Sequence, residues 1–437
     1  MSAYDSIEAG RMPVLVDGLR TPFLDSGGAY TEFMNHELAA IPLRAVLEKT
    51  GVEPASVEMV AMGNVAQDIQ TSNFAREAML GAGLPSTIPA YTVVMAGVSP
   101  LACVTNVCDM IALGQLDTAV AGGSENFSDL PIRLARNVRQ RAVKLARAKT
   151  AAQRLRILAG LRPKDLLPEM PRAEDYTTGL SMGASTEAMV KRFGVERRDA
   201  DAFAARSHHQ SAAAWEQGLF DGAITPVTTS AGDTVTRDNT VRADTSEAKL
   251  ARLKPAFDKA DGIVTAGNAS GLTDGATANL LMSAAAADQR GLSPLATIRD
   301  YKLTGVTDMD TEMLLGPAMS IPRLLANNGL TIDDIEVFEL HEAFAAQILA
   351  NQQALASDEF ARSELGLDKA PGAIPLDKLN AWGGSLALGN PFAATGGRLL
   401  VTAAQRLHAS GGRYAVVATC AGGGLGAALL LENPTVQ

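Results

Sequence analysis

Residues 90 to 108, AYTVVMAGVSPLACVTNVC, run from a short apolar stretch through a Ser-Pro pair into a helical pattern. Ser99 suits an N-cap and Pro100 the first helical position, while Leu101, Val104, Cys108 and Ile111 recur at helical spacing. A strand that empties onto a helix N-terminus suits a nucleophile or an anion, because unpaired N–H groups and the helix dipole stabilise negative charge there. The residue at that spot is Gly97, and the N–H groups of Gly97 and Val98 are the expected free donors. Cys103 and Cys108 come later, inside the helix, where a buried cysteine behaves as a small hydrophobe. Ser99 would need an adjacent general base to act as a nucleophile and reads more simply as the cap. The third cysteine, Cys420, stands between a strand-like YAVVAT and the glycine turn AGGGLG. That turn is followed by AALLLE, another strand-like run, so it lacks the helix that a dinucleotide-binding turn requires.

The elements that must hold these residues are those of an α/β protein. Strand-like PVLVDG, VEMVAMGN, DTAVAGG, IEVFELHE and YAVVATC alternate with helical HELAAIPLRAVLEKTG and IPRLLANNG, a rhythm that points to covered, largely parallel sheets. Part of the order occurs twice. VEMVAMGNVAQ (57–67) resembles IEVFELHEAFA (335–345), and the strands DTAVAGGSEN and YAVVATCAGGG close the two halves. At 437 residues the chain exceeds one ordinary core, and 47% hydrophobic residues with 40 glycines suit an Ala/Gly-rich enzyme. The formal charge of −10 argues against nucleic acid as a partner. No apolar run approaches a membrane span, the N-terminus has no apolar signal core, and three cysteines make neither a disulfide framework nor a zinc site. A cytoplasmic protein with no metal is expected.

Residues 130 to about 250 break the rhythm. From Arg133 to Lys164 eleven Lys and Arg residues follow one another with no acid until Asp165, interleaved with Leu134, Val138, Leu145, Leu155, Ile157 and Leu158. The stretch reads as basic amphipathic helix. A solvated helix face accounts for the pattern, and so does a surface for phosphates, acidic lipid or a partner subunit.

Seven separated motifs, in one order along Val14 to Glu432, resemble the thiolase superfamily: GLRTPF (18–23), AVAGGSENFSDLPI (119–132), TGLSMG (178–183), TAGNASGLTDGA (265–276), HEAFAAQ (341–347), GGSLALGNPFAATGGR (383–398) and CAGGGLGAA (420–428). HEAFAAQ and the basic insertion are similar to the acetyl-CoA acyltransferase β-subunits of fatty-acid oxidation complexes. The resemblance implies two duplicated βαβαβαββ halves in a layered αβαβα arrangement, with a first half at 1–129 and 251–290, an inserted loop domain at 130–250 and a second half at 291–437. It implies acyl-CoA thioesters as substrates or ligands, no tightly bound cofactor, and a homodimer or dimer of dimers. By the same resemblance Cys420 is the acid and base at the substrate α-carbon and His341 the oxyanion-hole residue. Coenzyme A contacts fall on Met182, Ser270, Ala343 and Phe344.

Two positions depart from that family's pattern. Counting back from Gly114 puts the family's nucleophilic cysteine at Gly97, and its Gly-His-Pro turn is Gly389-Asn390-Pro391 here. The pairing is chemically coherent, since a histidine that activates a thiol has no task once the thiol is gone. Thiolysis through an acyl-cysteine should then be impaired. What remains suits α-proton abstraction, with Cys420 as base and His341, Asn390, Gly97 and Gly422 polarising the carbonyl. Two other readings stay open: a non-catalytic CoA-ester-binding or assembly subunit, and an acyltransferase with a displaced nucleophile. Likewise Cys420 can be read as a structural thiol and His341 as a satisfied core histidine.

Overall fold

The computed structural model describes residues 3–4, 6–169, 171 and 174–436. Its centre is one mixed sheet. Nine strands lie along it: Pro13–Arg20 (β1), Met59–Gly63 (β2), Ala90–Val93 (β3), Thr118–Glu125 (β4), Thr273–Ser283 (β5), Ala296–Gly305 (β6), Val337–Leu340 (β7), Tyr414–Ala421 (β8) and Leu425–Glu432 (β9), in the order β7-β8-β9-β6-β1-β5-β4-β2-β3. The pair Leu24–Asp25 adds to β5 off this path. The two ends of the order mirror each other, with β1, β5, β4 and β2 of one half matching β6, β9, β8 and β7 of the other. The halves join where β1 meets β6, through Val14 opposite Thr297 and Leu15 opposite Ala296.

The expected largely parallel pairing is corrected. Only β2 with β3, β2 with β4 and β7 with β8 run parallel, and the other pairs along the order are antiparallel. The reason is local in the second half, where the AGGG turn is too short for a crossover and folds β9 straight back on β8. In the first half β5 returns after a long excursion and lies antiparallel on β4.

Helices cover both faces of each half. Asn35–Thr50 (α1) and Phe74–Gly81 (α2) share a core with Val60, Met62 and Val120 on one outer side. Ser99–Ala112 (α3) is apolar around most of its circumference, with eleven of its 14 residues buried, as a helix packed between the two halves must be. The basic segment forms two short helices, Arg136–Arg147 (α4) and Ala151–Leu158 (α5), neither of which buries a side chain, and Leu134, Val143, Leu155 and Leu158 lie exposed among its arginines. Met182–Phe193 (α6) and Arg197–Glu216 (α7) enter the core of the second half, with Gly316–Asn327 (α8) and Ala345–Leu355 (α9). Phe392–Ser410 (α10) is the second central helix and packs on α3 through Leu399, Leu400, Ala403 and Leu407. With each half of the continuous sheet counted as one layer, the layers run helix, sheet, helix, sheet, helix. Among the described residues no helix is long and apolar enough to cross a membrane.

Glycines set how closely the central helices approach. A Cβ on Gly123 would lie 2.0 Å from the Ala393 carbonyl oxygen, and one on Gly396 would lie 2.8 Å from Pro100 Cγ. Gly123→Ala therefore forces α10 off β4 and should lose at least about 1–3 kcal/mol. Gly305→Ala, where nothing lies within 4 Å, is the near-neutral control. Urea unfolding of the two variants checks this, and equal midpoints would contradict it.

Candidate active site

The sharp turn between β3 and α3 carries Gly97. Ala96 before it adopts φ of 47°, a left-handed conformation that costs a residue with a Cβ about 1 kcal/mol. The turn is tied by its own hydrogen bonds. Val98 N donates to Met95 O at 3.1 Å and Ser99 N to Ala96 O at 3.1 Å. Ser99 is not the N-cap, which is Val98. Its hydroxyl donates to Ala96 O at 2.6 Å and accepts from Met95 N at 2.8 Å, which closes the turn and leaves it no role as a nucleophile. The expected free donor at Val98 is also corrected, because the turn uses it; the Gly97 N–H makes none of these bonds.

Gly97 faces Cys420 across the gap between the halves. A Cβ on Gly97 would sit 3.2 Å from the Cys420 carbonyl oxygen and 3.7 Å from Ala421 Cβ. Cys420 is the penultimate residue of β8, is buried, and burial pushes its thiol up to about 12. The resting group is therefore a protonated thiol. Gly422, two residues on, lies against Met182, whose sulfur would be 3.3 Å from a Cβ there. Cys103 and Cys108 are fully buried among Leu101, Val104, Leu399 and Leu407, and burial raises both thiols far above their ordinary range. No cysteine stands in the 94–99 turn.

His341 follows β7 directly. Leu340 is paired with Ala418 in the parallel register, and His341 N donates to Ala418 O at 2.9 Å, so the histidine sits at the carboxyl end of the strand beside Cys420. Its Nδ1 lies 2.9 Å from Ser385 Oγ, and Nε2 makes no hydrogen bond among the described residues. Burial and then the nearby Arg398 charge hold its pKa down to about 3, so the ring is neutral. The next residue, Glu342, accepts from Ser207 Oγ at 2.7 Å, Asn380 Nδ2 at 2.7 Å and Leu386 N at 3.2 Å, which clamps the 341–344 segment onto the 380–386 loop.

Asn390 immediately precedes the N-cap of α10. Its Oδ1 accepts from Thr395 Oγ1 at 2.9 Å, which turns Nδ2 toward Ser270 Oγ at 3.4 Å. An amide so held donates a hydrogen bond but takes no proton. Ser270 N in turn donates to Ala343 O at 3.0 Å, Ala269 bridges to Phe344, and Phe257 meets the Phe344 ring edge-on at 6.3 Å. Sequence reasoning thus named residues from six separate segments; the fold sets Gly97 against Cys420, Gly422 against Met182, and Asn390, Ser270, Ala343 and Phe344 along one run of contacts, while His341 follows the strand paired with the one that carries Cys420. It named no role for Ser385, Arg398 or Glu342. All three stand inside recognisable motifs, but their partners become visible only in three dimensions.

A buried histidine and a thiol at the carboxyl ends of the paired strands β7 and β8, with an oriented amide just before α10, are groups of the types that polarise a carbonyl and move a proton beside it. The thiolase N-terminal domain family matches residues 13–285 and the thiolase C-terminal domain family residues 292–433. The chain is 45% identical over 419 residues to the mitochondrial trifunctional enzyme subunit beta of Bos taurus, covering 96% of this chain and 88% of that one. It is 41% identical over 418 residues to the 3-ketoacyl-CoA thiolase of Pectobacterium atrosepticum, covering 95% of each. The structure of human mitochondrial 3-ketoacyl-CoA thiolase in complex with CoA superposes with a TM-score of 0.82 at 29% identity, over 98% of this chain and 99% of that one. The chain belongs to the thiolase family and has the thiolase fold.

The depressed pKa of His341 has a consequence for stability. An unfolded histidine takes up a proton near pH 6.5, whereas the folded one resists until about pH 3, so stability present above pH 6.5 is lost as pH falls through that window. At pH 5 the loss from this residue is about 1–2 kcal/mol. Urea unfolding at pH 7.5 and pH 5 should show a smaller acid loss in His341→Asn than in the parent, and an equal loss in both would contradict a neutral buried ring.

Proposed function

We propose that this thiolase-family protein is an enzyme that makes or breaks a carbon–carbon bond next to a CoA thioester through an enolate, without forming an acyl-cysteine. The observation that carries the reading is Gly97. Where the thiolase pattern places a nucleophilic sulfur, the turn offers a hydrogen, with the Cys420 carbonyl 3.2 Å from the position of a Cβ. Asn390, at the place of the family's activating histidine, cannot accept the proton of a thiol. The burial of Cys103 weighs against a displaced nucleophile.

The remaining groups divide the work. His341 and the Asn390 amide donate toward thioester oxygens, with the Gly97 and Gly422 N–H groups as further donors to a developing enolate. Cys420 stands at the substrate α-carbon. As a protonated thiol it is suited to give its proton to the α-carbanion when the carbon–carbon bond breaks, the departing acyl group passing to an incoming CoA thiol; in the synthetic direction its thiolate removes the same proton and the enolate takes the acyl group of a second acyl-CoA, expelling CoA as its thiolate. Met182, Ser270, Ala343 and Phe344 line the approach, and the CoA bound to the human relative supports coenzyme A as the carrier they meet. A CoA-ester-binding subunit without turnover is the competing reading.

The discriminating reaction is α-proton exchange. Incubated with acyl-CoA in deuterated water, the protein should wash deuterium into the α-carbon. The rate should rise with pH from 7 toward 10 as the thiolate fraction grows, and it should fall by about a hundredfold or more in Cys420→Ala. No exchange, or exchange indifferent to Cys420→Ala, would reject the enzyme reading.

A further inference from the structure

We propose that Arg398 and Ser385 are positioning residues that hold His341 as its Nε2–H tautomer, so that the ring presents a hydrogen-bond donor, and not a lone pair, toward the acyl-thioester oxygen. The tautomer follows from hydrogen-bond counting. Arg398 Nη2 lies 2.8 Å from Ser385 Oγ, and a guanidinium can only donate. Ser385 Oγ is therefore an acceptor toward Arg398, and its single hydrogen is free for its other neighbour, His341 Nδ1 at 2.9 Å. Were Nδ1 protonated, it too would donate to Ser385 Oγ. The hydroxyl hydrogen would then be buried with no acceptor among the described residues. All three side chains are at least nine-tenths buried, with Arg398 1%, Ser385 0% and His341 4% exposed, so water does not supply that acceptor cheaply.

The charge on Arg398 is what makes the chain directional. Its Nη1 lies 3.7 Å from Glu339 Oε2, and Glu339 also takes Arg406 Nη1 at 2.5 Å. A buried carboxylate with two guanidinium partners keeps Arg398 a fixed cation and an obligate donor. The orientation then passes from Arg398 through the Ser385 hydroxyl to Nδ1 and leaves the hydrogen on Nε2, the nitrogen without a protein partner among the described residues. The Ser385 hydroxyl donor pointed at Nδ1, beside the buried positive charge of Arg398, also disfavours the imidazolium.

The tautomer assignment stands on geometry alone, while its catalytic consequence rests on the function proposed above; two readouts separate them. The first is 15N NMR of protein labelled at its five histidines, with His341 assigned by subtraction of His341→Gln. In the parent at pH 7.5 the expected signature is a pyridine-like Nδ1 and a pyrrole-like Nε2, and in Ser385→Ala both nitrogens should move toward intermediate values as the tautomers mix. A protonated Nδ1 in the parent, or an unchanged signature in Ser385→Ala, overturns the positioning role. The second readout is α-deuterium exchange of acyl-CoA, which should slow by about tenfold in Ser385→Ala. A changed tautomer with unchanged exchange would overturn the donor role of His341 and leave the hydrogen-bond chain standing.

Discussion

The approach of the two central helices to the strand ends depends on backbone meeting backbone without side chains between. Gly123 lets the Ala393 carbonyl reach β4, Gly396 lets α10 close on Pro100 and Leu101, and Gly97 lets the α3 turn meet the Cys420 carbonyl. Each contact is too short for a methyl group without adjustment. Because α10 starts directly after Asn390 and α3 directly after the Gly97 turn, these approaches set where both residues stand relative to Cys420. The packing of the two halves and the composition of the site floor are thus one constraint.

A second layer of order is electrostatic. Glu339, Arg398, Arg406 and Glu342 are all buried behind β7, and an unpaired member would carry a large desolvation penalty. Glu339 pairs with both guanidinium groups, and the chain from Arg398 ends on Ser385 and the neutral ring of His341. Glu342 adds the mechanical tie, since its carboxylate collects donors from α7 and from the 380–386 loop. Polarising a carbonyl requires donors that do not reorganise, and a buried network of this kind supplies stiffness around His341.

Much of the fold was legible in the sequence because the chain writes it twice. The likeness of VEMVAMG to IEVFELH identified β2 and β7, which occupy matching places in the two halves, and the helical spacing of Leu101, Val104, Cys108 and Ile111 marked α3 but not its burial on nearly every side. Strand direction was not legible, because a buried strand reads alike whether its neighbour runs parallel or antiparallel. For the candidate site, motif context singled out Cys420, His341 and Asn390. Ser99 was misread because the Ser-Pro pair fits a cap equally well one residue earlier, and the hydroxyl instead closes the preceding turn. Ser385 and Arg398 escaped because their meaning lies in a chain of hydrogen bonds across 44 and 13 residues of sequence.

The central claim is that acyl-CoA chemistry proceeds here without sulfur in the Gly97 turn. Intact-protein mass spectrometry after brief incubation with acyl-CoA tests it most directly. The parent protein should keep its unmodified mass, while the Gly97→Cys/Asn390→His double variant should gain one acyl group. An acyl adduct on any cysteine of the parent protein would contradict the account and make it an ordinary acyl-exchange catalyst.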